Sequence, residues 1–517
     1  MLIRRLAIVI ATLALAASAA AEESGPTLIR SYCGGCHKEV RPGQFERISV
    51  IRKSPEGWVM TLFRMHQVHH LALSDEVHDA ILRYLADTQG LAPAEAAPAR
   101  FALERRPNVK DLDLGPELGV MCGRCHSLAR VALQRRDADE WLKHMHFHMG
   151  QFPSLEYQAS GRDRPWWQIA SQQLPAELAR RYPLSTPEWS AWQGRARPDL
   201  AGRWVVVGHV PGGHDFYGSA EILRDADGSY RARYALSEAG GAAFAGESHA
   251  IVYTGYEWRG RASLAGRAVR EIYAASEDGA RLAGRWFDPE HAEQGGEWSA
   301  VRADAAAQVL AVLPQAARVG AATRLTVVGT GFGGDAAPSF GEGTRARILH
   351  RDANVIEAVV DVAADAAAGR HTISAGGASG TLAVYREINQ IDVQPGYGIA
   401  RLGGGRVAPV TAQFEALAST RLPSGELLPL GPVAAEWSTQ PFDEEAKRTG
   451  DDRYAGRIEP NGRYLPAGAG PNPAREFSGN NVGNLKVVAR VGEGQYAVEG
   501  NAHLVVTVQR WNTPPIY

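Results

Sequence analysis

The sequence predicts a multidomain chain: a mostly α-helical head followed by three antiparallel all-β domains, first a small barrel and then two sandwiches. Three observations lead there. At 517 residues the chain exceeds what one hydrophobic core supports. Both copies of a Cys-x-x-Cys-His motif, every methionine apart from Met1 and the capped helical patterns lie before about residue 195. From about Asp199 the texture changes to short alternating apolar segments between Gly, Asp and Asn turns, the pattern of antiparallel strands.

The N-terminus reads as an export signal. Arg4 and Arg5 precede an apolar run from Leu6 to Ala17, and Ala19-Ala20-Ala21 offers small residues to a signal peptidase. Residues 1–21 are expected to be removed, leaving a mature chain that begins near Glu22 in the periplasm. The apolar run is too short for a bilayer core of about 30 Å, so no membrane insertion is expected. Loss of two arginines and no acid takes the net charge from −2 to −4. That balance argues against a nucleic-acid partner.

All four cysteines fall in Cys33-Gly34-Gly35-Cys36-His37 and Cys122-Gly123-Arg124-Cys125-His126. An exported protein could use four cysteines as two disulfides. This spacing instead places two thiols one helical turn apart, where they can add across the two vinyl groups of one haem while the adjoining imidazole meets the iron. A single copy would also fit a zinc half-site or a redox pair. Two copies that use every cysteine, behind an export signal, predict two covalent haem c groups with His37 and His126 as proximal ligands.

The head, residues 22–195, divides into units of about 24–100 and 101–195. Ser74-Asp75-Glu76 followed by Val77, Ala80, Ile81, Tyr84 and Leu85 predicts a capped amphipathic helix ending at Gly90. Pro93 to Pro98 then reads as an Ala/Pro/Glu linker. The units look like a diverged repeat, because a Trp and a His/Met cluster follow each haem motif. Met65 follows Trp58 by seven positions, and His148 follows Trp141 by seven. Seven residues is close to two helical turns, which puts Trp and ligand on one helix face. Haem 1 is therefore expected as His37/Met65 and haem 2 as His126/His148. Met60, His66, His69 and His70 compete in the first unit, and His144, Met145, His146 and Met149 in the second. A thioether raises the potential relative to bis-imidazole ligation, so electrons are expected to enter at haem 2 and leave from haem 1.

Residues 196–304 predict the barrel. Its clearest hairpin pairs Ala220–Leu223 with Tyr230–Tyr234 across Asp227-Gly228, and Gly202-Arg203-Trp204 and Gly284-Arg285-Trp286 suggest equivalent strands. Asp225-Ala226-Asp227-Gly228 begins like a calcium loop, but its twelfth position is Leu236, so a plain turn is expected. His209 and His214 flank a Gly-rich turn and read as loop residues. Residues 305–386, with Pro314, Leu325–Phe332, His371–Ile373 and Thr381–Val384, resemble the immunoglobulin-like domains of transcription-factor and plexin-type proteins. Residues 387–517 read as a second immunoglobulin-like domain, with a Gly/Pro/Asn-rich excursion from about Pro441 to Gly483. No nucleophile elbow, phosphate loop or triad pattern occurs, so no catalytic residue is expected in this chain.

The paired haem motifs, the stretch Trp58 to His70, the stretch Gly150 to Gln158 and the domain order together resemble the α subunit of quinohemoprotein amine dehydrogenase, over essentially the whole mature chain. The resemblance implies a heterotrimer with a β-propeller subunit and a small γ subunit bearing cysteine tryptophylquinone. It implies oxidative deamination of primary amines on that partner, with electrons passing through the haems of this chain to azurin or a small cytochrome c. Two other readings remain. A self-contained dihaem peroxidase has no place for the long β region, and a haem-tagged extracellular binding module gives no reason for two unlike haems. Co-purification of a quinone-bearing partner separates them.

Overall fold

A computed structural model describes residues 24–100, 112–123, 126–151, 160–161, 163–333, 337–405, 407–492, 494 and 497–509. The export segment, Cys125 and residues 152–158 of the Gly150–Gln158 stretch lie outside them.

The head opens with helix α1 (Gly25–Cys33), a two-stranded pair β1 (Glu39–Arg41) and β2 (Gln44–Phe45), and strand β3 (Ile51–Lys53). Helix α2 (Pro55–His69) starts at Ser54, whose Oγ accepts from the Gly57 amide, with Pro55 supplying a pre-set first turn. It stops at His70, which takes a left-handed φ of 57°. Helix α3 (Asp75–Thr88) is capped by Ser74 as the sequence predicts. Leu28, Ile29, Phe45, Trp58, Leu62, Ile81 and Leu85 form one core. Helix α4 (Pro93–Ala96) then leads toward the second unit, which holds α5 (Pro116–Cys122), α6 (Ala129–Ala132), strand β4 (Gln134–Arg136) and α7 (Ala138–Gln151). Its core is Leu118, Val131, Trp141, Leu174 and Leu178.

Strands β3 and β4 pair antiparallel, Ile51 with Arg136, Arg52 with Arg135 and Lys53 with Gln134. Arg52 precedes Trp58 by six positions and Arg135 precedes Trp141 by six. Equivalent residues of the two units thus face each other, which defines a local two-fold axis. The match extends outward: Ser54 caps α2, and Asp137 Oδ1 accepts the Glu140 amide at 2.7 Å at the start of α7. The head is therefore not purely helical.

Residues 93–98 are a folded part of the core, not a free linker. Glu95 reaches back to accept the Ala92 amide at 2.8 Å. Leu91, Ala92, Ala96 and Ala99 are buried in a cluster shared with the next domain. Small apolar side chains at these spacings pack closely, and the carboxylate between them is neutralised by arginines.

The next domain is a closed barrel of eight antiparallel strands running in sequence order from Gly202–His209 to Gly295–Arg302. The last pairs with the first, Trp298 opposite Gly208 and Arg302 opposite Trp204, so no edge is left open. The predicted hairpin has the expected register, with Ala220 opposite Tyr234 and Leu223 opposite Arg231, and Gly228 supplies a φ of 78° at its turn. Asp225 pairs with Arg231 and Asp227 accepts from Ser229, which is turn chemistry. Trp204, Trp258, Tyr273 and Trp298 fill the interior around Glu271. Glu271 accepts from Tyr234 Oη at 2.8 Å and Trp258 Nε1 at 3.1 Å.

Residues 308–385 form a four-stranded and a three-stranded sheet around Leu325, Val327, Phe332, Ile356, Ile373 and Leu382. Residues 390–507 form a three-stranded sheet (Gln390–Gln394, Glu415–Arg421, Leu427–Val433) and a four-stranded one (Tyr397–Arg401, Val498–Thr507, Gly483–Val491, Glu436–Pro441) over Val393, Phe414, Leu485 and Leu504. The excursion after Pro441 is partly regular. Helices Glu444–Thr449 and Asp451–Tyr454 lead to strands Gly456–Ile458 and Arg463–Pro466, and the buried Asp451 carboxylate accepts from Arg475 and from the Asn484 amide.

His209 closes the first barrel strand and is not a free loop residue. Its Nδ1–H donates to Asp215 and its Nε2–H to Glu415 of the C-terminal domain, both at 2.7 Å. Burial disfavours its charge, but the two carboxylates outweigh burial and raise it to about 10.

Candidate functional site

The first haem motif sits at the end of α1. The turn after the helix is closed by the Cys36 and His37 amides donating to the Cys33 carbonyl at 3.1 and 2.9 Å, which folds both thiols and the imidazole onto one turn. Cys33 is half-buried and Cys36 exposed. Burial, with Cys36 nearby, pushes the Cys33 thiol up to about 11, so it is not an activated thiolate. His37 Nδ1–H donates to the Glu46 carbonyl at 3.0 Å. That bond fixes the ring and reserves Nε2 as a ligand atom.

Of the second motif, Cys122, Gly123 and His126 are described. Cys122 ends α5, and His126 Nδ1–H donates to the Ser127 carbonyl at 2.8 Å. His148 in α7 donates from Nδ1 to the His144 carbonyl at 2.7 Å, which orients its ring. These three histidines fit a haem iron by donor set and tautomer. The residues that would hold the two groups are Cys33, Cys36 and His37 in one unit and Cys122, Cys125 and His126 in the other.

Among the distal candidates, Trp58 and Met65 share a face of α2. Trp58 is buried and anchored by Nε1 donating to the Gln89 carbonyl at 3.0 Å, and Met65 is half-buried near the helix end. Met60 packs toward the barrel cluster. His66, His69 and His70 are exposed, and His66 Nδ1 is engaged by the Leu71 carbonyl. Among the described residues no three His, Cys, Asp or Glu side chains converge on a metal position. Of them, His69 lies near enough to His37 to disfavour its charge, after burial and Arg47. In the second unit His144 and His148 lie one turn apart with their rings 4.6 Å apart. His146 packs edge-on against Trp167, Met145 joins the second core, and Met149 is exposed.

A group of cations stands between the units, which sequence reasoning missed. Lys53 and Arg136 occupy the same position relative to Trp58 and Trp141, and both are buried, at 6% and 2% exposure. Arg64 of α2 lies over the Phe147 ring of α7 at 4.4 Å, another equivalent pair. Burial, then Glu140 opposing and Arg47 and Arg64 reinforcing, leaves Arg136 at about 9. Burial, then Arg136, Arg64 and Arg47, lowers Lys53 as well. His144 and His148 are held neutral chiefly by burial, with Arg136 and Arg64 adding to it. Three-residue strands of Arg and Lys carry no hydrophobic period, so nothing in the sequence marked them as interior.

Among the described residues, no helix is long and apolar enough to cross a membrane. Comparison with known proteins bears on the whole chain. Residues 23–189 match the family "quinohemoprotein amine dehydrogenase A, alpha subunit, haem binding". Residues 197–303, 306–386 and 391–516 match domains II, III and IV of the alpha subunit of quinohemoprotein amine dehydrogenase. No curated protein matches the chain. Among solved structures, a redesigned β barrel, mFAP1, bound to DFHBI is similar over 20% of this chain and 94% of that chain, at 11% identity and a TM-score of 0.19. Mouse clustered PcdhgC3 EC1-3 is similar over 46% of this chain and 77% of that chain, at 14% identity and a TM-score of 0.16. Likenesses at that level carry no argument. The four family matches follow one another in order along the chain, and the chain belongs to the α subunits of quinohemoprotein amine dehydrogenases.

Proposed function

We propose that this chain is the dihaem electron-transfer subunit of a periplasmic amine dehydrogenase. The observation that carries this reading is the pair of haem motifs within the haem-binding match, in each of which the proximal imidazole is oriented by Nδ1 on a backbone carbonyl. Each haem, once bound, supplies one-electron chemistry by cycling its iron between ferrous and ferric states.

The chain's own part is attachment and orientation. Cys33 and Cys36, and Cys122 and Cys125, tether the two groups. Met65 and His148 are the distal ligands on this reading, and the anchored Trp58 and buried Trp141 fix the helices that present them. The quinone that oxidises a primary amine belongs to a small partner subunit, since every cysteine here is committed to haem. A β-propeller subunit completes the assembly, azurin or a small cytochrome c receives the electrons, and the two C-terminal β domains are immunoglobulin-like scaffolds.

The test has two arms. The mass of the mature exported chain should exceed its sequence mass by two haems. In the complex purified under mild conditions, a primary amine should reduce both haems, whereas the isolated chain should not respond. A chain without haem, or an isolated chain that oxidises amine or turns over peroxide, would overturn the proposal.

A further inference from the structure

The two haem units meet on an excess of buried positive charge. Lys53 and Arg136 are buried and Arg64 half-buried, the exposed Arg47 lies at their edge, and Glu140 is the buried carboxylate beside Arg136. Glu140 is shared among Arg47 at 3.1 Å, Arg136 at 4.0 Å and Lys143 at 2.9 Å. The other nearby acid, Asp137, is exposed and spends an oxygen on the cap of α7. Among the described residues Lys53 Nζ meets the Thr61 hydroxyl at 2.7 Å and the Trp58 ring and no carboxylate. Among the described residues no carboxylate pairs with Lys53 or Arg64, and no acceptor reaches the buried Arg64 Nε.

A second observation points the same way. Trp141 is 1% exposed, its ring lies 5.6 Å from the Arg136 guanidinium, and its indole N–H meets no acceptor among the described residues. Buried cations and buried donors are costly when left without partners, so such a cluster calls for an anionic acceptor.

We infer that this cluster holds the propionate carboxylates of the haem tethered at Cys122 and Cys125, with Lys53 and Arg64 supplied by the first unit across the local two-fold axis. The inference rests on the function proposed above and adds which residues receive the acidic edge of the group. The cluster is assigned to the second haem because Arg64 lies over the ring of Phe147, the neighbour of His148, at 4.4 Å, and Arg136 over the ring of Trp141, three positions before His144, at 5.6 Å. The cations are positioning residues: they compensate the propionates and, by their charge, favour the ferrous state.

Spectroelectrochemical titration of the haem-loaded chain tests this. Arg64→Gln and Lys53→Gln should each shift one of the two midpoint potentials downward and leave the other in place, and Arg64→Lys should restore it. Adding inorganic phosphate to the wild type should leave both potentials unchanged. Two attached haems with unaltered potentials in both Gln variants would overturn the inference while leaving the proposed function standing. A phosphate-dependent wild-type potential would overturn it too, because the cluster would then hold a free anion. If Lys53→Gln does not fold, Arg64→Gln, whose side chain is only partly buried, decides alone. A chain lacking haem would sink the function and this inference together.

Discussion

Arg52 and Arg135 face each other across β3 and β4 and share one carboxylate, Glu95. Arg52 binds it through two N–H groups at 2.8 and 2.9 Å, and Arg135 Nε donates at 3.1 Å. Thr186 Oγ1 donates to the same carboxylate at 2.9 Å. A residue of the connecting segment therefore sits beside the axis that relates the two units.

Replacing Glu95 tests how much holds there. All three side chains are at most 6% exposed, so Glu95→Gln leaves two buried guanidinium groups short of a counter-charge. Breaking a buried pair this way costs roughly 3–5 kcal/mol. Denaturant unfolding of the variant should show a loss of that order, and a loss below about 1 kcal/mol would show the pair to be incidental. Burial opposes the Glu95 charge, but Arg52, the Ala92 amide and Arg135 prevail and hold its pKa below the usual value. Its contribution is therefore present above the ordinary glutamate range and should fade as pH falls through its lowered pKa.

His209 gives the opposite pH dependence. Its pKa, raised to about 10, means that the bridge from the barrel to Glu415 is at full strength below the ordinary histidine value. It weakens as pH rises toward about 10 and is lost beyond that. Scanning calorimetry of His209→Gln should show a melting point a few degrees below wild type at pH 6, converging on it near pH 10. A constant gap would remove titration of His209 as the cause.

Within the barrel, Glu271→Ala should be far worse than Glu271→Gln. Alanine strands the Tyr234 hydroxyl and the Trp258 N–H in the interior, at about 1–3 kcal/mol for each unsatisfied group. Glutamine keeps an acceptor oxygen. Equal melting points for the two variants would mean that packing, not hydrogen bonding, governs the site.

The distal ligands are testable by exchange. Met65→His should lower the potential of haem 1, and His148→Met should raise that of haem 2. If neither substitution moves a potential, the ligand pair is wrong, and His69 and His144 become the next residues to replace.

Much of this was legible in the sequence because it rests on local rules. The Ser74 cap, the Asp227-Gly228 turn and the register of Ala220 against Tyr234 follow from short-range geometry. What escaped depends on contacts distant in the chain. Glu95 looked like part of a solvated linker because its partners lie 43 and 40 positions away. Lys53 and Arg136 carry no local signal of burial, because only the pairing of β3 with β4 places them inside. His209 looked like a loop residue because Glu415 is 206 positions distant.

Two copies of a small unit strung on a tether would swing, and, if each holds a haem as proposed, the gap between the two would wander with thermal motion. Pinning the tether itself through Glu95 removes that freedom. Since tunnelling rates fall steeply with separation, a joint of this kind would, under the proposed function, make a duplicated fold into a wire of fixed length.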